Sequence, residues 1–225
     1  MAFTLKEILM ACDATDLKAV SSDVDIIALC DAAKKYKCAA VCVNSAFVPW
    51  LASELAGSAV KTCTVVGFPL GAMSSAAKAE ETRIAVENGA EEIDMGIEVG
   101  KLRAGDTNYV LQDISNVVEA AQGRTVKVII ETCYLTDDQK ITACELAKIA
   151  GAQFVKTSTG FGTGGATVSD VALMYHTVAP QLQVKASGGV RTARDAAAMM
   201  EAGASRLGTG NIQSIIDGID DYQLN

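Results

Sequence analysis

Three residues carry most of the chemistry available to this sequence: Lys156 in QFVKT (153–157), Lys185 in QVKAS (183–187) and Asp94 in EEIDM (91–95). Each sits in a short apolar or β-branched run of the kind that forms a buried strand. Lysine is seldom buried without a partner or a task. Neighbouring strands lie about 5 Å apart, so amines at adjacent strand ends repel by roughly 3 kcal/mol at an effective dielectric of about 20. With partial burial, that repulsion would lower one amine's pKa by roughly two units and leave it partly uncharged at neutral pH. An uncharged amine attacks carbonyl carbon. Asp94, on a third strand, would trade protons with water or substrate oxygens as the adduct forms and collapses. One strand-end lysine could equally be an ion pair with Glu131 or Asp94. Two on adjacent strands beside an acid favour catalysis. Glu98, just past Asp94, reads as solvated.

The segment after Lys156, TSTGFGTGG, invites another reading. Gly160, Gly162 and Gly165 match GxGxxG, but the dinucleotide fingerprint also needs an acid at the end of the next strand, and that strand offers Lys185. The match fails. A phosphate site has firmer grounds, because SGGV (187–190) and GTGN (208–211) each end a strand just before a helix. Backbone N–H groups at Gly188, Gly189, Gly208 and Thr209 can cradle an anion there. His176 is the sole histidine and lies in helical VALMYHTVAP, so there is no His-type zinc site, and neither metal nor cofactor is expected. Trp50 and the Met199–Met200 pair read as packing.

Holding these groups together requires a scaffold. Eight strand-like runs, ILMACD (8–13), AAVCV (39–43), VKTCTVV (60–66), EEIDM, TVKVIIE (125–131), QFVKT, QVKAS and SRLGT (205–209), alternate with amphipathic stretches such as SAAKAEETRIAVENG. Several of those stretches open on Ser, Thr or Asp and close on Gly, as capped helices do. Strand–helix alternation means a parallel sheet. Eight pairs in a chain of this length predict a single-domain (β/α)8 TIM barrel over residues 1–225, in preference to a doubly wound open sheet. Barrel enzymes work at the carboxyl ends of their strands. The polar residues expected there are Asp13, Thr15, Cys42, Asn44, Asp94, Glu131, Lys156, Lys185, Gly208 and Thr209.

Composition narrows the partners. The 225 residues are half apolar and carry a net charge of −8, with no basic stripe. Nucleic acid and anionic membranes are therefore not expected partners, and a phosphorylated substrate would depend on a local anion site. No apolar run spans a bilayer and no leader pattern opens the chain. Seven cysteines without CxxC pairs suit a reducing compartment, the cytoplasm.

The segments FVKTSTGF, VKASGGVRTARDA, VKVIIETCYLTDDQK, EEIDMGIEVGKL, CDATDLKA and AAVCVNSAFVP resemble, in order and spacing from about Asp13 to Asn211, those of deoxyribose-phosphate aldolases, class I aldolases of deoxynucleoside breakdown. The resemblance implies that Lys156 forms a Schiff base with acetaldehyde or with C1 of 2-deoxyribose 5-phosphate. It also implies that Lys185 tunes Lys156 and shares in proton transfer, and that Asp94 moves protons through water. Asp13, Thr15 and Cys42 would line the pocket near the substrate hydroxyls. Gly188, Gly189, Gly208 and Thr209 would hold the phosphate, with Thr157–Gly160 beside it. The expected partner is a small phosphorylated sugar, and a homodimer is admitted. The chain departs from the family pattern at Ala14, Glu98, Phe161 and GTGN, and Tyr222 is a further candidate for proton transfer.

Overall fold

The computed structural model describes residues 3–218. Eight parallel strands close on themselves in sequence order, β1 to β8, as the alternating pattern predicts. They are β1 (Cys12–Asp16), β2 (Ala40–Val43), β3 (Lys61–Val66), β4 (Glu92–Gly96), β5 (Thr125–Ile129), β6 (Phe154–Lys156), β7 (Gln183–Ser187) and β8 (Ala204–Thr209). Among the described residues, ten α-helices accompany them: α1 (Leu5–Ala11), α2 (Asp23–Tyr36), α3 (Val48–Glu54), α4 (Ser75–Glu87), α5 (Val99–Arg103), α6 (Thr107–Ala120), α7 (Asp137–Ile149), α8 (Val168–Val178), α9 (Ala193–Glu201) and α10 (Ile212–Asp217). The chain is a (β/α)8 barrel.

One boundary differs from the sequence reading. Residues 8–11 of ILMACD are helical, and β1 begins only at Cys12. The cause is local. Thr4 and Glu7 form a reciprocal capping box, in which the Thr4 N–H donates to Glu7 at 2.7 Å and the Glu7 N–H donates back to the Thr4 hydroxyl at 3.3 Å. That cap starts α1 and commits Ile8 and Leu9 to its buried face.

Two apolar layers follow from the period-two alternation of the strands. Ile93, Met95, Val126, Val128, Val155 and Val184 face outward and pack beneath the helices. Inside the barrel, Leu17, Ala40, Cys42, Cys63 and Val65 form a smaller apolar cluster on the β1–β3 side. Across the lumen, β4 to β8 send charged groups inward. A register irregularity between β7 and β8 sets Lys185 beside Arg206, so one cation follows another around the wall.

Candidate active site

Asp94 is the hub. It is fully buried, and its Oδ2 accepts from both Lys156 and Lys185 at 2.7 Å. The two amines are therefore close neighbours, as the adjacency of β6 and β7 requires. Asp94 Oδ1 accepts from a third amine, Lys127 of β5, at 2.9 Å, and from the Cys63 thiol at 3.3 Å. Lys127 also contacts Glu92 at 2.6 Å. Lys185 donates to Asp13, while Arg206 donates to Asp13 at 2.8 Å and to Glu92 at 2.7 Å. Within this network, among the described residues, four cations meet three carboxylates.

The electrostatics differ from the expected repulsion. Burial opposes the charge on Lys185, but Asp13 and Asp94 outweigh it and hold the amine above the usual lysine range. Lys127 behaves alike: burial is offset by Asp94, Cys63, Asp13 and Glu92, and the amine is raised well above its ordinary value. Burial would lift the Asp94 carboxyl, yet Lys127, Lys156 and Lys185 together hold it well below the carboxylate range. Asp13 sits at about 2 for the same reason, burial being overcome by Lys185, Lys127 and Arg206. The interposed carboxylates, absent from the two-lysine argument, change the sign for Lys185. A thiol pair lies alongside. Cys42 is lowered by its hydrogen bond with Cys63, whose own thiol is raised well above its usual value by burial.

A cavity of about 380 Å3 opens above this network. Lys156 contributes to it, and so do Thr15, Gly160, Gly188, Gly189, Gly208 and Thr209 of the expected substrate set. Asp13, Cys42 and Thr157 do not line it. Asp13 is locked in the ion network, Cys42 packs in the inner apolar cluster, and the Thr157 hydroxyl donates to Ser187 O at 3.0 Å. Asp94 and Lys185 are third residues of their strands and so lie one layer below the rim. Glu98 caps α5 by accepting from Gly100 N–H at 3.1 Å. Glu131 pairs with Thr159 rather than with a lysine. Trp50 is partly exposed, so packing does not bury it, whereas Met199 is buried. Tyr222 lies outside the described residues.

Several functional groups escaped the sequence reading. Lys127 stands in the middle of TVKVIIE, where its inward parity matches that of Asp94 in the neighbouring strand. Arg206 and Glu92 have similar parity signals. Arg191, which lines the cavity, had none beyond its place after SGGV. Two groups, Cys42 with Cys63 and Asp94, and Asp13 with Cys63 and Glu92, bring potential metal ligands within 4.8 Å of one another. The described lysines and Arg206 already occupy those carboxylates, so the donor set is matched to cations of the protein itself.

The model of the DeoC/LacD family aldolases matches residues 8–214. The chain belongs to the DeoC/LacD aldolase family. This bears out the resemblance drawn from its motifs. A deoxyribose-phosphate aldolase of Carboxydothermus hydrogenoformans is 58% identical over 217 residues, covering 93% of this chain and 95% of that protein. The deoxyribose-phosphate aldolase of Streptococcus uberis is 56% identical over 206 residues, 92% and 94% of the two chains. Among solved structures, the tetrameric deoxyribose phosphate aldolase of Aeropyrum pernix superposes with a TM-score of 0.90 at 27% identity, covering 97% of this chain and 93% of that one. This family member is thus an aldolase-fold lyase by sequence and by architecture. Among its described residues, no helix is long and apolar enough to cross a membrane.

Proposed function

We propose that the protein reversibly cleaves 2-deoxyribose 5-phosphate to glyceraldehyde 3-phosphate and acetaldehyde through a Schiff base on Lys156. The observation that carries this reading is the position of Lys156, which touches both the buried Asp94 carboxylate and the cavity ringed by Gly160, Gly188 and Gly208. Four cations against three carboxylates leave one surplus positive charge in the network. Arg206 keeps its proton at any working pH, Lys127 is held by three carboxylates and Lys185 by two. Lys156 has one carboxylate partner, Asp94, and is the lysine of this network that lines the cavity, so its amine is the one placed to attack C1.

The carbinolamine then loses water to give an iminium. Breaking the C2–C3 bond sends its electron pair into the iminium as an enamine, while the C3 hydroxyl proton passes to a water molecule between C3 and Asp94 and C3 becomes the aldehyde of glyceraldehyde 3-phosphate. Protonation of the enamine and hydrolysis release acetaldehyde and restore the amine. Lys185, kept charged, is suited to donate protons along this path, and Asp94, kept ionised, anchors both ammonium groups and accepts from the intervening water. The phosphate rests on the glycine turns beside Arg191. The support comes from the family, the lysine pair and the cavity.

The test is reductive trapping. With 2-deoxyribose 5-phosphate and borohydride, peptide mass spectrometry is expected to find the adduct on Lys156, and Lys156→Ala to abolish it. An adduct on Lys185 or Lys127, or tight binding with no adduct, refutes the assignment.

A further inference from the structure

At the mouth of the barrel, two cavities meet at Thr159: the one above Lys156, and a second of about 280 Å3 lined by Leu70, Ile97, Tyr134 and Phe161. Glu131 lines the second and holds Thr159, which lines both. Only 5% of Glu131 is exposed, and its backbone holds a left-handed φ of 55°, a strained conformation for a residue with a side chain. Its partners among the described residues are hydrogen-bond donors rather than cations. The Thr159 N–H donates to its two oxygens at 3.2 and 3.3 Å, the Thr159 hydroxyl donates to Oε2, and the Cys133 thiol approaches at 3.9 Å. A buried carboxylate without a cation is costly to maintain, so this one has a reason to be there.

The loop around it shows what that reason is. The Phe161 N–H donates to the Thr159 hydroxyl at 3.0 Å, so the amides on both sides of Gly160 are turned toward the Glu131 side. Gly160 itself has a φ of +86° and lines the catalytic cavity. Its N–H donates to no acceptor among the described residues, and neither do those of Gly189 and Val190 across the cavity. The loop is also fastened on its far side, where the Ser187 hydroxyl donates to Ser158 O at 2.5 Å and the Ala166 N–H to Gly188 O at 2.9 Å. On the Thr159–Gly160 side, the side-chain anchor is Glu131. Phe161, at the position where the family motif admits a lysine, points into the second cavity and meets Phe68 edge-on at 5.4 Å, so it brings no charge to the phosphate.

We propose that Glu131 is a positioning residue for the phosphate of the substrate: it pins Thr159 so that the Gly160 N–H faces the anion held by the Gly188–Val190 turn. This rests on the reading of that cavity given above. Because the carboxylate acts through the loop, its loss weakens phosphate recognition and leaves the lysine chemistry intact. Glu131→Ala is expected to raise KM for 2-deoxyribose 5-phosphate about tenfold with kcat within about threefold, since a charge-assisted hydrogen bond is lost. The kcat/KM for unphosphorylated 2-deoxyribose stays within about threefold. Glu131→Gln, which keeps one acceptor oxygen, shows a smaller rise, and Thr159→Val, which lacks the hydroxyl relay to Phe161, also raises KM. Calorimetric titration with inorganic phosphate gives a weakening parallel to KM. Equal losses on the phosphorylated and unphosphorylated sugars, unchanged phosphate affinity in Glu131→Ala, or no phosphate binding by the unmodified protein each overturns the proposal. Borohydride trapping with acetaldehyde alone separates the two claims: absence of an adduct on Lys156 removes the aldolase reading, while the phosphate titration still decides the role of Glu131.

Discussion

Behind β4, Lys78 of α4 donates to Asp113 of α6 at 2.6 Å and to Gly96 O at 2.9 Å, and neither side chain is exposed. Asp113 Oδ1 has no hydrogen-bond partner among the described residues, and Lys78 is the cation paired with this carboxylate. Lys78→Met keeps the bulk of the side chain and removes its charge. Breaking a buried pair from one side costs about 3–5 kcal/mol, because the remaining charge stays buried. For a chain of this size each kcal/mol moves Tm by about 2–4 °C, so the variant is expected to melt roughly 10–15 °C lower at pH 7. Lys78→Met combined with Asp113→Leu recovers most of that loss, since an apolar pair of similar volume replaces the ionic one. The pH dependence has a definite sign. Burial holds the Asp113 carboxyl above its ordinary value, so the folded state takes up its proton before the unfolded state does. The deficit of the single variant therefore shrinks as the pH is lowered toward 5. Scanning calorimetry at both pH values measures it. A deficit that grows on acidification, or a double variant no more stable than the single one, refutes the reasoning.

Lys127→Met removes the donor to Asp94 Oδ1 and leaves three cations facing three carboxylates. Trapping of acetaldehyde on Lys156 by borohydride should slow about tenfold to a hundredfold, the equivalent of one hydrogen bond to a charged group, and an unchanged rate contradicts the charge count. Asp13 provides an acid-stability test. Its carboxyl lies at about 2 in the fold against an ordinary 3.8, so its contribution is complete above pH 4 and lost as the pH falls toward 2. That contribution is on the order of 2–3 kcal/mol. In urea unfolding across this window, Asp13→Asn should lose stability less steeply than the unmodified protein, and parallel slopes count against the assignment.

The scaffold was readable because the outward-facing residues form an apolar layer rich in Val and Ile and the helices carry their own caps. The first strand was displaced because apolar residues 8–11 suit either element. The deciding signal was present four residues upstream, as Thr4 and Glu7 at capping-box spacing. Lys156, Lys185 and Asp94 were legible since charge inside an apolar run stands out. Lys127 stands out by the same criterion, as the third residue of its strand like Asp94 and Lys185. The polarity of the lumen was harder to infer: whether two lysines repel depends on which carboxylates reach between them, and Asp13 comes from a strand more than 170 positions away from Lys185. Lys78 has no sequence signature at all, because a lysine in SAAKAEETR looks like any solvated helix position until α6 packs against it.

The inward cations of β5 to β8 have a consequence at longer range. A net charge of −8 disfavours the approach of an anion to the chain as a whole, while the throat above Lys156 opens from a network that places four cations against three carboxylates. Low-dielectric walls concentrate such a field along the axis of the opening. Under the function proposed above, a phosphorylated ligand would be drawn in headgroup-first toward the glycine turns, its approach oriented before any contact is made.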